Sequence, residues 1–450
     1  MKNLISSLFS VLNLFRNNNQ TFGALMAKGA SGSFALSLGN TGMVFLTSIL
    51  LARSLGVESF GSYAYIISWL TLAGVASKMG LDLIVPRFVA KYLHENDLER
   101  LAGFFQFSLA MIILSSIASM AISDGISWLL SDSSPVRYIA VWIAMILLPI
   151  NALNTPFTGF LVGMQKVVRA QLPVLFVTPI GFLFLIAAAQ WYLHAGLSLI
   201  GVFTLQIIAS SIGLVYAVIL FRQTALPITR GTKPCYEGYL WFKSAIPVAL
   251  MGGMYVINTN TDILMLGSMR GVESAGIYKI ATRGADLIML VATMIGVALA
   301  PIISTLHTEK NMLRLQRGIT KTTRIGFALT LPICLGLVLF GRSFLLLFGD
   351  GFVQAYAALV ILSVMQLAAA AAGPTRLILV MTGNERIATI GLLVGTVLNI
   401  FLNFMLIPSF GINGAALATM LSTLLSHFIL ILFVWKSLKI NSTIFSNRLA

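Results

Sequence analysis

Among the charged side chains of the long apolar runs, seven stand at positions where a charge needs a physical reason. They are Lys78, Asp82, Asp262, Lys279, Arg283, Asp286 and Arg376. An ionised side chain at the centre of a membrane-spanning helix costs about 2.5–3.5 kcal/mol on insertion scales. Such a residue therefore pairs with another charge, faces a water-filled path, binds an ion or substrate, or reaches the membrane surface. The spacing of each group narrows this choice.

The first two charges are four residues apart. Lys78 and Asp82 occur in the second apolar run, and this spacing predicts that they share one helix face. Counted from the start of the run near residue 61, Lys78 lies about 25 Å along the helix, close to its far end. Two interpretations remain open. The residues form an interfacial ion pair that reaches the membrane surface, or they act as a gate or headgroup contact in which Asp82 couples to an ion.

A second group forms a stripe on one predicted helix. Lys279, Arg283 and Asp286 follow one another at spacings of four and three residues. Asp286 lies about 14 Å from the start of its run, near the midplane of a membrane. Contact with lipid would be costly there. We expect either a cavity-facing role, with two cations for a substrate and a carboxylate for an ion, or a buried structural pair between helices.

Arg376 follows Gly373-Pro374 in the tenth apolar run. The proline predicts a bend and an unbonded backbone carbonyl at this point. A guanidinium pairs with phosphate oxygens through two hydrogen bonds, so a bent helix that presents Arg376 suits an anionic group. The alternative is that the side chain reaches the nearby membrane surface.

Asp262 has an Asn-Thr-Asn segment at residues 258–260 close before it. A carboxylate among amide and hydroxyl groups could bind a coupling proton or Na⁺. It could equally pair with Arg270 or Lys279 for structural reasons. The sequence leaves both interpretations open.

The composition identifies an integral membrane protein. Of 450 residues, 58% are hydrophobic and 10% are charged, and the mean hydropathy is +0.93. A soluble domain carries roughly 25% charged residues. The net charge of +15 indicates basic cytoplasmic loops rather than a nucleic-acid partner. Cys235 and Cys334 suggest no disulfide framework, and no nucleotide loop, metal cluster or catalytic set is visible. We therefore predict neither an enzyme nor a resident cofactor.

Twelve runs are long and apolar enough to span a membrane. They cover residues 33–53, 61–83, 102–122, 138–161, 172–190, 197–221, 245–266, 277–304, 325–348, 356–381, 387–407 and 413–435. We therefore divide the chain into an N-terminal segment with an amphipathic pattern, an N-lobe, a linker, a C-lobe and a tail. Their predicted bounds are 1–32, 33–221, 222–244, 245–435 and 436–450.

Loop charges predict the orientation. With the N-terminus in the cytoplasm, 21 of the 29 Lys and Arg residues fall in cytoplasmic segments and six in external ones. Positive charge concentrates on the cytoplasmic side of membrane proteins. Both termini are therefore predicted to be cytoplasmic. Because each lobe contains six runs, both lobes insert with the same orientation and form parallel repeats.

The sequence also contains an internal duplication. Residues 56–63 read GVESFGSY and residues 271–278 read GVESAGIY, so that the two segments differ at only two positions. Each copy joins two apolar runs. Glycine permits turn conformations that other residues avoid. The repeat therefore predicts the same helical hairpin in both lobes.

The order of these turn motifs resembles that of Wzx-type polysaccharide flippases. The motifs are LARSLG at 51–56, FGSY at 60–63, DILMLG at 262–267, AGIYKIA at 275–281 and IPSFGINGAALA at 407–418. The resemblance covers about residues 30–436. It implies an all-α polytopic membrane protein with two six-helix lobes around a central cavity, in the superfamily of MATE multidrug extruders and the lipid II flippase.

The resemblance also implies a function and its partners. The substrate would be a polyprenyl-pyrophosphate-linked oligosaccharide, flipped across a bacterial inner membrane by alternating access for a surface polysaccharide such as O-antigen or exopolysaccharide. A polymerase and chain-length machinery would be candidate partners, and H⁺ or Na⁺ a candidate coupling ion. The candidate pyrophosphate contacts are then the four cations Lys78, Lys279, Arg283 and Arg376. The candidate ion-coupling residues are Asp82, Asp262 and Asp286.

Two other functions compete with this one. A MATE-type extruder of cationic drugs would need an acidic cavity, whereas the candidate cavity charges are mixed or basic. The first apolar run, 33–53, also lacks the carboxylate that cation-extruding relatives usually carry. A membrane-embedded polysaccharide polymerase or ligase would need a sizeable outer loop, and none is visible in the sequence.

Overall fold

The computed structural model describes residues 20–130, 135–193, 197–225 and 231–446. Within these ranges the regular structure is entirely helical. Most of the predicted amphipathic segment, at residues 1–19, lies outside them. The helices are α1 (Gln20–Lys78), α2 (Leu81–His94), α3 (Leu98–Leu130), α4 (Pro135–Met145), α5 (Leu147–Gly163), α6 (Val167–Leu172), a π turn (Pro173–Val177), α7 (Thr178–Leu193), α8 (Leu199–Thr224), α9 (Gly238–Arg270), α10 (Val272–Thr308), α11 (Met312–Leu346), a 3₁₀ turn (Asp350–Ala355), α12 (Tyr356–Ala372), α13 (Thr375–Met381) and α14 (Glu385–Leu438).

Ten helical ranges in the described part of the chain are long and apolar enough to cross a membrane. Two of them are 63 and 54 residues long, at Gly32–His94 and Glu385–Leu438. A straight helix of 63 residues would measure about 95 Å, roughly three times the hydrocarbon core of a bilayer. Each range contains a break, at Gly56 and at Gly411. The twelve-span count stays a prediction, because these breaks decide how the two ranges are divided.

The break at Gly411 turns α14 back on itself. Ser426 Oγ donates to the Gly391 carbonyl at 3.0 Å, and Asn399 Nδ2 donates to Thr419 Oγ1 at 3.3 Å. As the residue number rises from 391 to 399 along the first arm of α14, the number of the contacting residue falls from 426 to 419 along the second arm. The two arms therefore run antiparallel. Gly411 has φ 53°, ψ −128°, a conformation that glycine adopts at little cost.

The duplicated turns share a backbone conformation as well as a sequence. Gly56 has φ 71°, ψ 179°, and Gly271, its counterpart in the second copy, has φ 90°, ψ 159°. Both values lie in a region that side chains other than glycine rarely adopt. We call the side of the molecule that carries Gly56, Gly271 and Gly411 the turn end, and the side that carries the 222–244 linker the linker end.

The two duplicated turns contact each other at the turn end. A Cβ on Gly61 would lie 2.7 Å from the carbonyl carbon of Val272. A Cβ on Gly276 would lie 2.6 Å from Gly61 Cα and 3.2 Å from the carbonyl oxygen of Val57. Gly276 is the counterpart of Gly61 in the second copy, and Val272 is the counterpart of Val57. Such reciprocal contacts are those of two copies related by a two-fold axis.

The hydrophobic core of the described residues connects the lobes chiefly at this end. One buried cluster holds Leu51 and Phe60 of the N-lobe together with Ile277 and Phe352 of the C-lobe. Arg53 Nε also donates across the lobes to the Leu347 carbonyl, at 2.7 Å. At the linker end, separate clusters form in each lobe, apart from the first turns of α9, which pack on the N-lobe. The lobes are therefore joined at the turn end.

Candidate functional site

A buried polar cluster surrounds Asp262 in the C-lobe. The Asp262 side chain, on α9, accepts four hydrogen bonds from α10 and from the two arms of α14. Tyr278 Oη donates at 2.7 Å, Asn399 Nδ2 at 3.1 Å, Asn403 Nδ2 at 2.6 Å and Thr419 Oγ1 at 2.6 Å. Asp262 is 7% exposed. These four hydrogen bonds hold the Asp262 side chain between α9, α10 and both arms of α14.

One of the two interpretations of Asp262 is an ion pair with Arg270 or Lys279. Arg270 does not pair with it, because its guanidinium donates to the carbonyls of Ile407 and Pro408. Lys279 lies more than 4.0 Å from every carboxylate in the described part of the chain. Among the described residues Asp262 therefore forms no ion pair, and its four hydrogen-bond donors are neutral, whereas the ion-binding interpretation stays a prediction.

The cluster is also rich in oxygen atoms that a cation could use. Both carboxylate oxygens of Asp262, the hydroxyls of Tyr278 and Thr419 and the side-chain amides of Asn399 and Asn403 meet within hydrogen-bond distance. Asn403 Oδ1 is buried without a hydrogen-bond partner. A buried acceptor left unpaired costs free energy. Hard cations prefer such oxygen ligands.

The N-lobe contains only part of this cluster. When the two halves are aligned on their duplicated turns, Asp262 corresponds to Thr47, Asn399 to Phe184 and Asn403 to Ala188. The Thr47 hydroxyl instead donates to the backbone of its own helix. Tyr278 and Thr419, by contrast, correspond to Tyr63 and Thr204, so the C-lobe differs from the N-lobe in the carboxylate and the two amides of the cluster and not in its two hydroxyls.

A cavity of about 700 Å³ lies within the N-lobe, between α1, α2, α5, α8 and the segment from the π turn into α7. Its lining combines apolar side chains with seven neutral hydrogen-bonding residues. These are Thr71, Asn151, Asn154, Thr155, Thr158, Thr178 and Gln206. Lys78 and Asp82 are the charged residues of the lining, at the end towards the linker. The volume is in the range typical of small-molecule sites.

The predicted helix face shared by Lys78 and Asp82 is wrong. Helix α1 ends at Lys78, and Met79 and Gly80 follow with φ of 47° and 75°. The turn brings the chain against α9, where a Cβ on Gly80 would lie 2.6 Å from the Ala245 carbonyl oxygen. Lys78 and Asp82 therefore form no ion pair within 4.0 Å. Both nevertheless line the cavity.

The stripe on α10 contains a loose ion pair. Arg283 Nη1 lies 3.5 Å from Asp286 Oδ2, and the Asp286 side chain is 48% exposed. The guanidinium Nε of Arg283 is buried and has no hydrogen-bond partner. The pair is therefore not a fully buried structural pair, and Arg283 retains a donor that an anion could use. Lys279, one turn earlier, is half-buried.

Arg376 stands beyond a complete break in its span. The helix stops at Ala372, and Gly373 adopts φ 79°, ψ −178° before Pro374 and the short helix α13. The predicted bend is confirmed. The Arg376 side chain is exposed, and no described carboxylate lies within 4.0 Å of it. Neither Arg376 nor Arg283 lines the N-lobe cavity.

The partners of Asp262 are not among the residues predicted from the sequence. Asn399 and Asn403 are four residues apart in the middle of the eleventh run, so they share a helix face. Two side-chain amides in the centre of a membrane span cost free energy unless they are hydrogen-bonded. Such a pair therefore indicates a buried polar partner, as a charged residue in a span does. The described residues contain no group of three or more His, Cys, Asp or Glu placed to hold a metal ion.

Residues 26–307 match the model of the family described as polysaccharide biosynthesis protein. The chain belongs to the polysaccharide biosynthesis protein family. Residues 247–405 also match the model of the MatE family. These two matches agree with the resemblance found in the turn motifs. Together they place the chain in a superfamily that contains both flippases and transporters.

Two relatives of this chain align with it over different lengths. A probable flippase, AglR of Haloferax volcanii, is 33% identical over 165 residues, which cover 36% of this chain and 34% of the relative. The chain thus matches about a third of the length of this relative. An uncharacterized membrane protein of Methanocaldococcus jannaschii is 23% identical over 87% of this chain and 80% of its own length.

Solved structures share the fold. An inward-facing MATE-family multidrug transporter has a TM-score of 0.76 at 14% identity, covering 89% of this chain and 94% of its own. The lipid II flippase MurJ in an inward closed conformation has a TM-score of 0.69 at 15% identity, covering 91% and 87%. An outward-facing MATE transporter has a TM-score of 0.64 at 15% identity, covering 94% and 99%. The chain therefore has the fold of the MATE transporters and of the lipid II flippase.

Proposed function

We propose that the protein flips polyprenyl-pyrophosphate-linked oligosaccharides across the cytoplasmic membrane for the assembly of a surface polysaccharide. The observation that carries the proposal is the N-lobe cavity, in which seven neutral amide and hydroxyl residues stand beside one cation, Lys78, and one carboxylate, Asp82. Neutral sugars present many hydroxyls, so neutral donors and acceptors suit them. A drug cation would instead favour an acidic cavity.

The remaining cations suit the pyrophosphate. Two phosphate groups bring at least two negative charges, which in a low-dielectric cavity must be paired. Arg376 is exposed at the linker end of the C-lobe, and Arg283 keeps an unpartnered guanidinium nitrogen deeper in α10. We infer that Arg376 meets the substrate first, together with Lys78 from the N-lobe. Arg283 and Lys279 then receive it further along.

Asp262 is the best candidate for ion coupling. Its carboxylate is buried among oxygen-bearing side chains, and one amide oxygen beside it is unpartnered. Binding of Na⁺ or H⁺ at this position would change the packing of α9, α10 and α14, which carry the cluster. Asp286 and Asp82 are more exposed and have fewer partners, so they are weaker candidates.

This function also assigns an orientation. The linker end would face the cytoplasm, where the substrate is made, and both termini would be cytoplasmic. The contact at the turn end closes the outer side, so the described state would admit substrate from within. A polymerase and chain-length machinery would act on the exported product.

Binding to the purified protein tests the proposal. A polyprenyl-pyrophosphate-linked disaccharide should bind, and Arg376→Gln should weaken binding at least about tenfold, or about 1.4 kcal/mol. Arg376→Lys should retain part of the affinity, because it keeps the charge but loses the paired hydrogen bonds. Lys321→Gln, an exposed cation on α11, serves as the matched control. Binding of the lipophilic cation tetraphenylphosphonium with none of the glycolipid would instead favour a drug extruder.

A further inference from the structure

The C-terminal segment after α14 is packed into the C-lobe rather than extending away from it. Lys439 ends α14 with φ 56°, and the chain then turns back along α11. Ile440, Ser442 and Ser446 are 2%, 0% and 0% exposed. We call residues 440–446 the strap. Burial of this kind is unusual for a non-helical segment rich in Asn, Ser and Thr, whose backbone groups ordinarily stay in water unless they are bonded.

One side of the strap is bonded to the first turns of α11. The side-chain amide of Gln316 forms two hydrogen bonds of 2.8 Å with the backbone N–H and carbonyl of Asn441. Thr323 Oγ1 donates to the Ser442 carbonyl at 3.1 Å. Arg324 donates to the carbonyls of Ile444 and Ser446 at 3.2 and 3.0 Å. These successive contacts fix the strap to one helix.

The other side of the strap is bonded to the break in the tenth span. In a continuous helix the Ala371 carbonyl would accept from the N–H of Thr375, four residues later. Here the Thr375 N–H turns to the Gly373 carbonyl, at 2.8 Å, and the Ile444 N–H of the strap donates to Ala371 at 3.0 Å. The strap thus supplies the backbone partner that the break removed, and so satisfies a carbonyl that would otherwise be unpaired.

The strap also supports α13, the short helix that carries Arg376. Seven residues are too few for a helix to be stable alone, so its position depends on packing. Ile378 and Leu379 of α13 are buried in the same cluster as Ile440. Arg376 itself is exposed. The strap is therefore joined to the elements on both sides of the break.

We propose that the strap is a positioning element that holds α13 in place, so that Arg376 is presented to the anionic group of the substrate. The role of Arg376 rests on the proposed function, whereas the mechanical role of the strap does not. Loss of the strap would leave the Ala371 carbonyl unpaired and expose the buried face of α13. The side chain of Arg376 would then no longer be fixed relative to α11 and α12.

A double-mutant cycle tests this positioning role, with geranylgeranyl pyrophosphate as the probe. Truncation after Leu438 and Arg376→Gln should each weaken binding at least about tenfold, and the combined variant should be no weaker than Arg376→Gln alone. Truncation after Ser446 is the control. The proposal would be overturned if the fold losses of affinity in the two single variants multiplied in the combined variant. It would also be overturned if truncation after Leu438 left the affinity unchanged.

A second measurement tests the mechanical role of the strap without any substrate. In a protein with Cys235→Ser and Cys334→Ala, the fully buried position Leu379→Cys should react at least about tenfold faster with a thiol reagent when the strap is removed. Arg324→Gln should act in the same direction with the full chain present, and Lys321→Gln should not. Failure of the probe to bind any variant would reject the pyrophosphate site alone. Unchanged reactivity of Leu379→Cys in both strap variants would reject the strap.

Discussion

At the scale of single residues, Asp262 shows how a sequence position gains its meaning from partners that are far apart along the chain. The carboxylate could be singled out because it lies in an apolar run. Its donors Asn399, Asn403 and Thr419 follow much later in the chain, in α14, and nothing local connects them with α9. Their convergence depends on how α14 packs after its turn at Gly411. The sequence therefore identified the charge but not the site.

The first prediction concerns the ion at this cluster. Na⁺ that binds the folded protein should raise its stability by about 2.7 kcal/mol at a concentration 100-fold above the dissociation constant. Asp262→Asn removes the charge and keeps the shape, so the rise in Tm with Na⁺ should disappear. The measurement is a thermal unfolding series in Na⁺ against choline. Asp286→Asn is the matched control and should keep the rise.

The same series tests whether Na⁺ is the coupling ion. If Na⁺ is not the coupling ion, the Tm of the wild-type protein should be the same in Na⁺ and in choline. An Asp262→Asn variant that keeps the full Na⁺ response of the wild type would show that the cluster is not the ion site.

At the scale of elements, the turns and breaks were the most predictable features. Gly56 and Gly271 were expected to form matching hairpin turns, and Gly373-Pro374 was expected to interrupt its span. The failure at Lys78 and Asp82 has a specific cause. The apolar run continues through residues 79–83, so its pattern predicts a continuous helix, but α9 approaches Gly80 too closely for any side chain. Hydropathy records burial and does not record such a contact between helices.

This contact gives a second prediction. Gly80→Ala would introduce a Cβ at φ 75°, 2.6 Å from the Ala245 carbonyl oxygen and 2.7 Å from the Ala249 backbone nitrogen. Strain and displacement of α9 should lower the Tm of the purified protein and the yield of folded protein. Gly336→Ala is the control, because a Cβ there meets nothing within 4 Å and alanine favours helix. Equal Tm values for the two variants would contradict the described packing.

At the scale of the whole molecule, the lobes meet where the duplicated turns contact each other. The sequence predicted two equivalent hairpins, and the fold confirms the two-lobed arrangement. The sequence could not predict that Gly61 and Gly276 face each other, because a repeat shows that two segments are alike and not that they touch. The reciprocal contact also defines the state of the molecule, since it closes the turn end.

The contact predicts a conformational effect of small substitutions. Ala at both Gly61 and Gly276 would place methyl groups within the contact, so the closed turn end should lose stability relative to a state open on that side. Spin labels at the exposed, equivalent positions Glu58 and Glu273 should then report a longer distance by pulsed electron paramagnetic resonance. Gly42→Ala, where a Cβ meets nothing within 4 Å, is the control. An unchanged distance in the double variant would contradict a gate at this contact.

Transport of the lipid-linked glycan tests the central claim most directly. The protein is reconstituted into liposomes that carry a polyprenyl-pyrophosphate-linked oligosaccharide in one leaflet, and a lectin in the outer solution measures the sugar that appears on the other side. We predict rapid appearance of the sugar with the wild-type protein and slow appearance with Arg376→Gln. Two results together would contradict the assignment. The sugar would appear no faster than in protein-free liposomes, and the same protein would extrude tetraphenylphosphonium.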